Sequence, residues 1–162
     1  MQRNIFKNIK VPESIVWQSN QSGWLLNNLE ATIAFGEILS QKIQSSKILL
    51  LEGPLGSGKT SLVKGIAKGL QILEPITSPT FPLSQHYLKG KRALIHLDLY
   101  RLDSADSANE LFIQEEEEAK DLKALMVIEW PSRLKIDLED AWHVNLTYTQ
   151  DNKRLIKLFS PY

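Results

Sequence analysis

The chain has 162 residues, 43% of them apolar and 23% charged, and its 19 basic and 19 acidic side chains cancel to zero net charge. That length suits one folded unit, and the charge balance removes the broad positive field that drives unaided binding to nucleic-acid phosphates or anionic lipid. With no cysteine in the chain, disulfides, thiolate zinc sites and cysteine nucleophiles are excluded.

From Met1 to about Gly23 the pattern is irregular, and residues 1–22 read as an N-terminal extension to a single domain over 23–162. The first ten residues carry Arg3, Lys7 and Lys10 with no apolar stretch of a targeting signal. No run of about 18 apolar residues follows. The expectation is a cytoplasmic protein without membrane contact. After Asn27 and Asn28, either able to cap a helix, Ala31, Ala34, Phe35, Ile38 and Leu39 recur at helical spacing and predict a helix over Asn28–Gln44. Ile48–Leu51 is an unbroken apolar run, as in a strand covered on both faces. A glycine-rich turn separates it from a second helical stripe, Val63, Ile66, Ala67 and Leu70.

Two prolines in Thr77–Pro82 oppose helix and predict an ordered loop. Ala93–Leu99 and Leu125–Ile128 read as strands, and between them Asp103 or Ser104 can cap a helix that runs through Glu115–Glu118. That glutamate run reads as a solvated helix face. Val144, Leu146 and Tyr148 alternate, Asp151-Asn152 turns, and Leu155–Phe159 returns as a hairpin partner.

The chemistry concentrates in Gly53-Pro54-Leu55-Gly56-Ser57-Gly58-Lys59-Thr60, a G-x-x-x-x-G-K-[ST] phosphate loop set between a strand and a helix, as its mechanism requires. Gly56 and Gly58 free the backbone so that successive N–H groups can turn inward around phosphate oxygens. The following helix adds the positive end of its dipole, Lys59 can reach the β- and γ-phosphates, and the Thr60 hydroxyl can ligate Mg²⁺. Hydrolysis also needs a carboxylate at a neighbouring strand end to hold metal or orient water. Asp98 and Glu129, each ending an apolar run, are the candidates. The hydroxyls of Ser78 and Thr80 could meet a γ-phosphate. His86, His96 and His143 are too scattered for a zinc pair, and Trp130 reads as an indole packed over its strand end.

Taken together, Glu30-Ala31-Thr32, Leu55–Thr60, Ser78-Pro79-Thr80-Phe81, His96–Leu102 and Val127-Ile128-Glu129-Trp130-Pro131 make the chain resemble the TsaE family over roughly Leu26–Phe159. The family consists of bacterial ATPases required for N6-threonylcarbamoyladenosine formation in tRNA. The resemblance implies an α/β, three-layer P-loop fold with a mixed, largely parallel sheet and a C-terminal antiparallel hairpin. It also implies bound ATP or ADP with Mg²⁺, slow ATP hydrolysis, and partnership with TsaD and TsaB, so that tRNA is met only through the complex. Matching motifs assign nucleotide contacts to Leu55, Gly56, Ser57, Gly58, Lys59, Thr60 and Ser61, with Thr32 near the adenine. They assign Mg²⁺ to Thr60 and Glu129 and the hydrolytic role to Asp98; the catalytic set read from the residues is Asp98, Glu129 and Lys59, with Asp98 or Glu129 positioning water. The chain departs from the family's usual pattern at Pro54, at Ser61 and in Leu111–Ala119, which lacks a customary glycine.

Two other functions share this loop. A small-molecule kinase would carry a lid with several cationic groups, whereas Arg3, Arg92, Arg101, Arg133 and Arg154 are spread out. A nucleotide-gated binding module would need no hydrolysis at all.

Overall fold

The structure, a computed structural model, describes residues 10–161. The basic start with Arg3 and Lys7, part of the expected extension, lies outside the described residues. In chain order the elements are β1 Ile15–Gln18, β2 Gly23–Leu26, α1 Leu29–Lys42, β3 Ile48–Glu52, α2 Lys59–Gly69, β4 Ser84–Tyr87, β5 Leu94–Asp98, α3 Ala105–Leu122, β6 Leu125–Glu129, β7 Trp142–Tyr148 and β8 Arg154–Phe159, with a 3-10 turn at Pro131–Arg133. No helix among the described residues is long and apolar enough to cross a membrane.

The eight strands form one sheet in the order β1-β2-β8-β7-β3-β6-β5-β4. Its centre, β7-β3-β6-β5, is parallel. Antiparallel strands flank it: β8, β2 and β1 on one side and β4 on the other. The hairpin anticipated at the C-terminus is β7–β8, with Leu146 opposite Ile156. Central strands are covered on both faces, which is why β3 and β6 read as continuous apolar runs. Leu49 and Leu51 pack with α1 and α2 on one face, and Leu50 packs with Phe112 and Ala119 of α3 on the other. The result is the expected three-layer α/β arrangement.

Helix ends follow their caps. The Asn28 side chain accepts from Ala31 N at 2.8 Å, and the Ser104 hydroxyl accepts from Asp106 N at 3.2 Å, each satisfying an otherwise orphaned donor. At the opposite ends, one side chain serves two helices. Arg92 donates to the carbonyls of Gln44 at 2.9 Å and Ser46 at 2.7 Å beyond α1, and of Lys123 at 3.0 Å and Ala124 at 2.9 Å beyond α3. The α1–α2 crossing is close because it is built on glycine. A Cβ on Gly65 would run into the Ile33 carbonyl, and one on Gly36 into the Leu62 carbonyl.

Three strands escaped the sequence pattern. Ile15–Gln18, Gly23–Leu26 and Ser84–Tyr87 are four residues each, too short for alternation to register, and they are strands because β2, β8 and β5 respectively offer them a ladder. Four residues of the segment expected as an extension, Ile15–Gln18, are thus one edge strand of the sheet. A correction concerns the glutamate run. Four consecutive helical residues sweep around the axis, so they cannot share one face. Glu117 and Glu118 are exposed, but Glu115 turns inward and meets His86 Nε2 of β4 at 2.6 Å.

Candidate functional site

All the central strands deliver their C-terminal ends to one edge of the sheet, and the loop that leaves β3 crosses there into α2. The loop depends on glycine at three positions: Gly53, Gly56 and Gly58 have φ of 150°, 75° and 104°. Such values are strained for any residue with a Cβ. Gly58 is the N-cap of α2 and offers no side chain, so the helix's first N–H groups stay available to an anion. Pro54 costs the loop one amide donor, yet its carbonyl is used: it accepts from Ser57 N at 3.1 Å and from Lys59 Nζ at 3.1 Å.

Lys59 is 4% exposed. Its ammonium donates to the Gly53 carbonyl at 2.8 Å and sits 4.2 Å from the centre of the Trp130 ring. Burial pushes this ammonium below the ordinary lysine range, while Glu129, Asp98 and Glu52 pull it back up. Trp130 holds a left-handed backbone, φ 61°, rare for a bulky residue, and its ring also packs on Tyr100 at 4.9 Å. The indole expected to cap the strand therefore also forms the bed of the loop lysine.

Register brings the carboxylates together, since Asp98 of β5 pairs with Glu129 of β6 across parallel strands. Each is buried and each is supplied with donors, as a desolvated carboxylate requires. Asp98 accepts from Ser78 Oγ at 2.8 Å and from Tyr100 N at 3.1 Å. Because Ser78 spends its hydrogen on Asp98, Thr80 is the donor in their 2.9 Å contact. Glu129 Oε1 accepts from Thr60 Oγ1 at 2.9 Å and lies 2.9 Å from His96 Nε2.

These groups line a cleft of about 490 Å³, with Leu55, Gly56, Gly58, Lys59, Thr60 and Ser61 on one wall and Ser78, Thr80, Asp98 and Glu129 on the other. Tyr100, Arg101 and Trp130 complete it. Two of the anticipated contacts do not line the cleft. Thr32 is buried in α1, bonded to the Asn28 carbonyl at 3.3 Å, with its methyl beneath Gly58. Ser57 is also buried, its hydroxyl turned toward Gly53. Sequence reasoning missed the tie from the Tyr148 hydroxyl to the Leu55 carbonyl, 3.2 Å, and the seat of His96 under Glu129. The i, i+2 spacing of His96 and Asp98 on one strand face was the available signal for the second.

The donor set fits a hard divalent cation that is completed by its ligand. Thr60 donates its hydrogen to Glu129 and keeps its lone pairs, and among the described residues both hydrogen bonds to the Glu129 carboxylate land on Oε1, leaving Oε2 as the oxygen that can face a metal. No group of three or more His, Asp or Glu among the described residues could hold a metal alone. Such a sparse set could hold a cation that keeps water and takes ligand oxygens alongside one or two protein ligands, as Mg²⁺ does.

A family model described as threonylcarbamoyl adenosine biosynthesis protein TsaE matches residues 26–156. The chain is 38% identical over 129 residues to the tRNA threonylcarbamoyladenosine biosynthesis protein TsaE of Nostoc sp., covering 80% of each chain. Against the protein of that name from Aquifex aeolicus it is 34% identical, over 83% of this chain and 93% of that one. Among solved structures, the fold is similar to YdiB of Bacillus subtilis, with a TM-score of 0.63 at 23% identity, covering 86% of this chain and 85% of that one.

Proposed function

The chain belongs to the TsaE family, and from that premise we propose that it is a Mg²⁺-dependent ATPase serving threonylcarbamoyladenosine formation in tRNA. The observation that carries this reading is the Thr60–Glu129 hydrogen bond, 2.9 Å, made where the glycine loop, the buried Lys59 and Asp98 converge. It couples the loop's hydroxyl to a strand-end carboxylate, the arrangement that phosphoryl chemistry in P-loop proteins requires for its metal.

On this reading the amides between Gly53 and Thr60 cradle the phosphates, and Lys59 leaves the Gly53 and Pro54 carbonyls for the β- and γ-oxygens. Thr60 and Glu129 would hold Mg²⁺, which neutralises charge on those oxygens when bound. Asp98, already bonded to Ser78, orients water and links the γ-position to the 77–82 loop. A change in that loop between ATP and ADP states would then be legible to a partner, and TsaD with TsaB is the partnership proposed. The balanced net charge supports contact with tRNA through the complex.

Replacing Lys59 removes a charged, buried contact worth about 1.5 to 3 kcal/mol, roughly 10- to 100-fold in affinity. Lys59→Ala should therefore bind ATP weakly and release no phosphate, with or without TsaD and TsaB. Turnover unchanged in that variant would overturn the assignment. Labelled γ-phosphate arriving on an added acceptor, rather than as free phosphate, would make the protein a kinase instead.

A further inference from the structure

The layer of the sheet beneath the cleft is built mainly of aliphatic side chains. Leu94, His96 and Asp98 share one face of β5, the face toward α1 and α2, where Leu49, Leu125 and Val127 pack. His96 lies in this layer with no exposure at all. Among the described residues its Nδ1 has no hydrogen-bond partner, and Nε2 has one, Glu129 Oε1 at 2.9 Å. A buried nitrogen without a partner is unfavourable, so an aliphatic residue would sit more comfortably among these neighbours. What the imidazole provides, and an aliphatic group cannot, is a donor aimed at one carboxylate oxygen. With Nδ1 unpartnered, the ring's hydrogen is best placed on Nε2.

We propose that His96 is a positioning residue: it clamps Glu129 Oε1 from below while Thr60 holds it from the loop side, so that Oε2 alone is presented to the metal. This inference rests on the reading of the cleft as a Mg²⁺–nucleotide site. Two donors on one oxygen fix the carboxylate's rotation, which neither donor fixes alone. Fixing it also matters because Asp98 stands directly across in register, and an unheld Glu129 would swing away from that like charge. Such partners behind a metal ligand typically govern about 10- to 100-fold in metal affinity.

The test compares side chains by where they can place an N–H. Glutamine sets its amide nitrogen near the position of Nε2, whereas asparagine, one carbon shorter, reaches only the position of Nδ1. ADP binding is measured by calorimetry with Mg²⁺ and with EDTA, and the ratio of the two affinities is the readout. His96→Asn and His96→Leu should lose at least about tenfold of the Mg²⁺-dependent gain, with affinity in EDTA held within about twofold because the phosphate loop is untouched. His96→Gln should recover most of the gain. If His96→Leu does not fold, the Asn and Gln pair decides alone. A Mg²⁺ gain that survives in His96→Asn, or is lost equally in His96→Gln, overturns the inference. Wild-type protein that shows no Mg²⁺-dependent ADP binding would sink the proposed function itself, a separate outcome.

Discussion

Burial lowers the Lys59 ammonium from lysine's ordinary 10.5, and the carboxylates of Glu129, Asp98 and Glu52 only partly restore it. The unfolded chain keeps this proton up to about 10.5, whereas the folded chain gives it up earlier. Between the two values unfolding takes up a proton, so the contribution of Lys59 to stability rises with pH there. On the proposed function, nucleotide binding would have the opposite slope, because phosphate needs the ammonium. ADP affinity should hold steady through neutral pH and begin to fall at a pH below 10.5. Calorimetric titrations from pH 7 to 10 check this, and Lys59→Arg, which stays charged throughout, should bind with no alkaline loss. An identical decline in the arginine variant would mean that another group sets the slope. The sequence made Lys59 legible through its motif, but its bed on Trp130 was not, since 70-odd residues separate them and only the β3–β6 pairing joins their strands.

The glycine crossing of α1 and α2 makes the two helices one unit. Ile33 packs its backbone against Gly65 closely enough that no Cβ fits, and a helix backbone cannot yield as a flexible side chain would. Gly65→Ala should destabilise the fold by about 1 to 3 kcal/mol, the usual range for overpacking, although alanine is the better helix former. Urea unfolding reads this directly, and an unchanged or raised midpoint would show that the helices have room to part. The consequence reaches the site, because α2 begins at the phosphate loop and α1 holds Thr32 beneath Gly58. The first helix, predicted over Asn28–Gln44, ends within two residues of that range, and the second carries its predicted stripe, since stripes and the Asn28 cap are local features. Their close approach was not, because a glycine inside a helical stripe reads only as a weak helix former until the facing backbone is seen.

No single part of the chain makes the cleft: the β3–α2 loop, the ends of β5 and β6 and the 77–82 loop all contribute walls. Binding is therefore available to the folded protein and lost on unfolding, and ligand should stabilise the fold by mass action. At about 100 times its dissociation constant, Mg²⁺-ADP should add about 2.7 kcal/mol. For a chain of this length that raises Tm by roughly 5 to 10 °C. Thermal unfolding with and without ligand checks it; Lys59→Ala, with affinity down roughly 10- to 100-fold, should keep about half of the shift or less at the same concentration, and an unmoved wild type would count against nucleotide binding. The amino-acid sequence by itself determined the strand–loop–helix core, the glycine loop and the two candidate carboxylates, because periodicity, caps and glycine spacing act over a few residues. Only the tertiary structure decided that Asp98 and Glu129 stand side by side, that His96 lies 2.9 Å from one of them, that Glu115 turns inward to His86 and that Ile15–Gln18 closes one sheet edge. Those outcomes depend on strand register and on which face meets which neighbour, and neither is written in any local stretch of the chain.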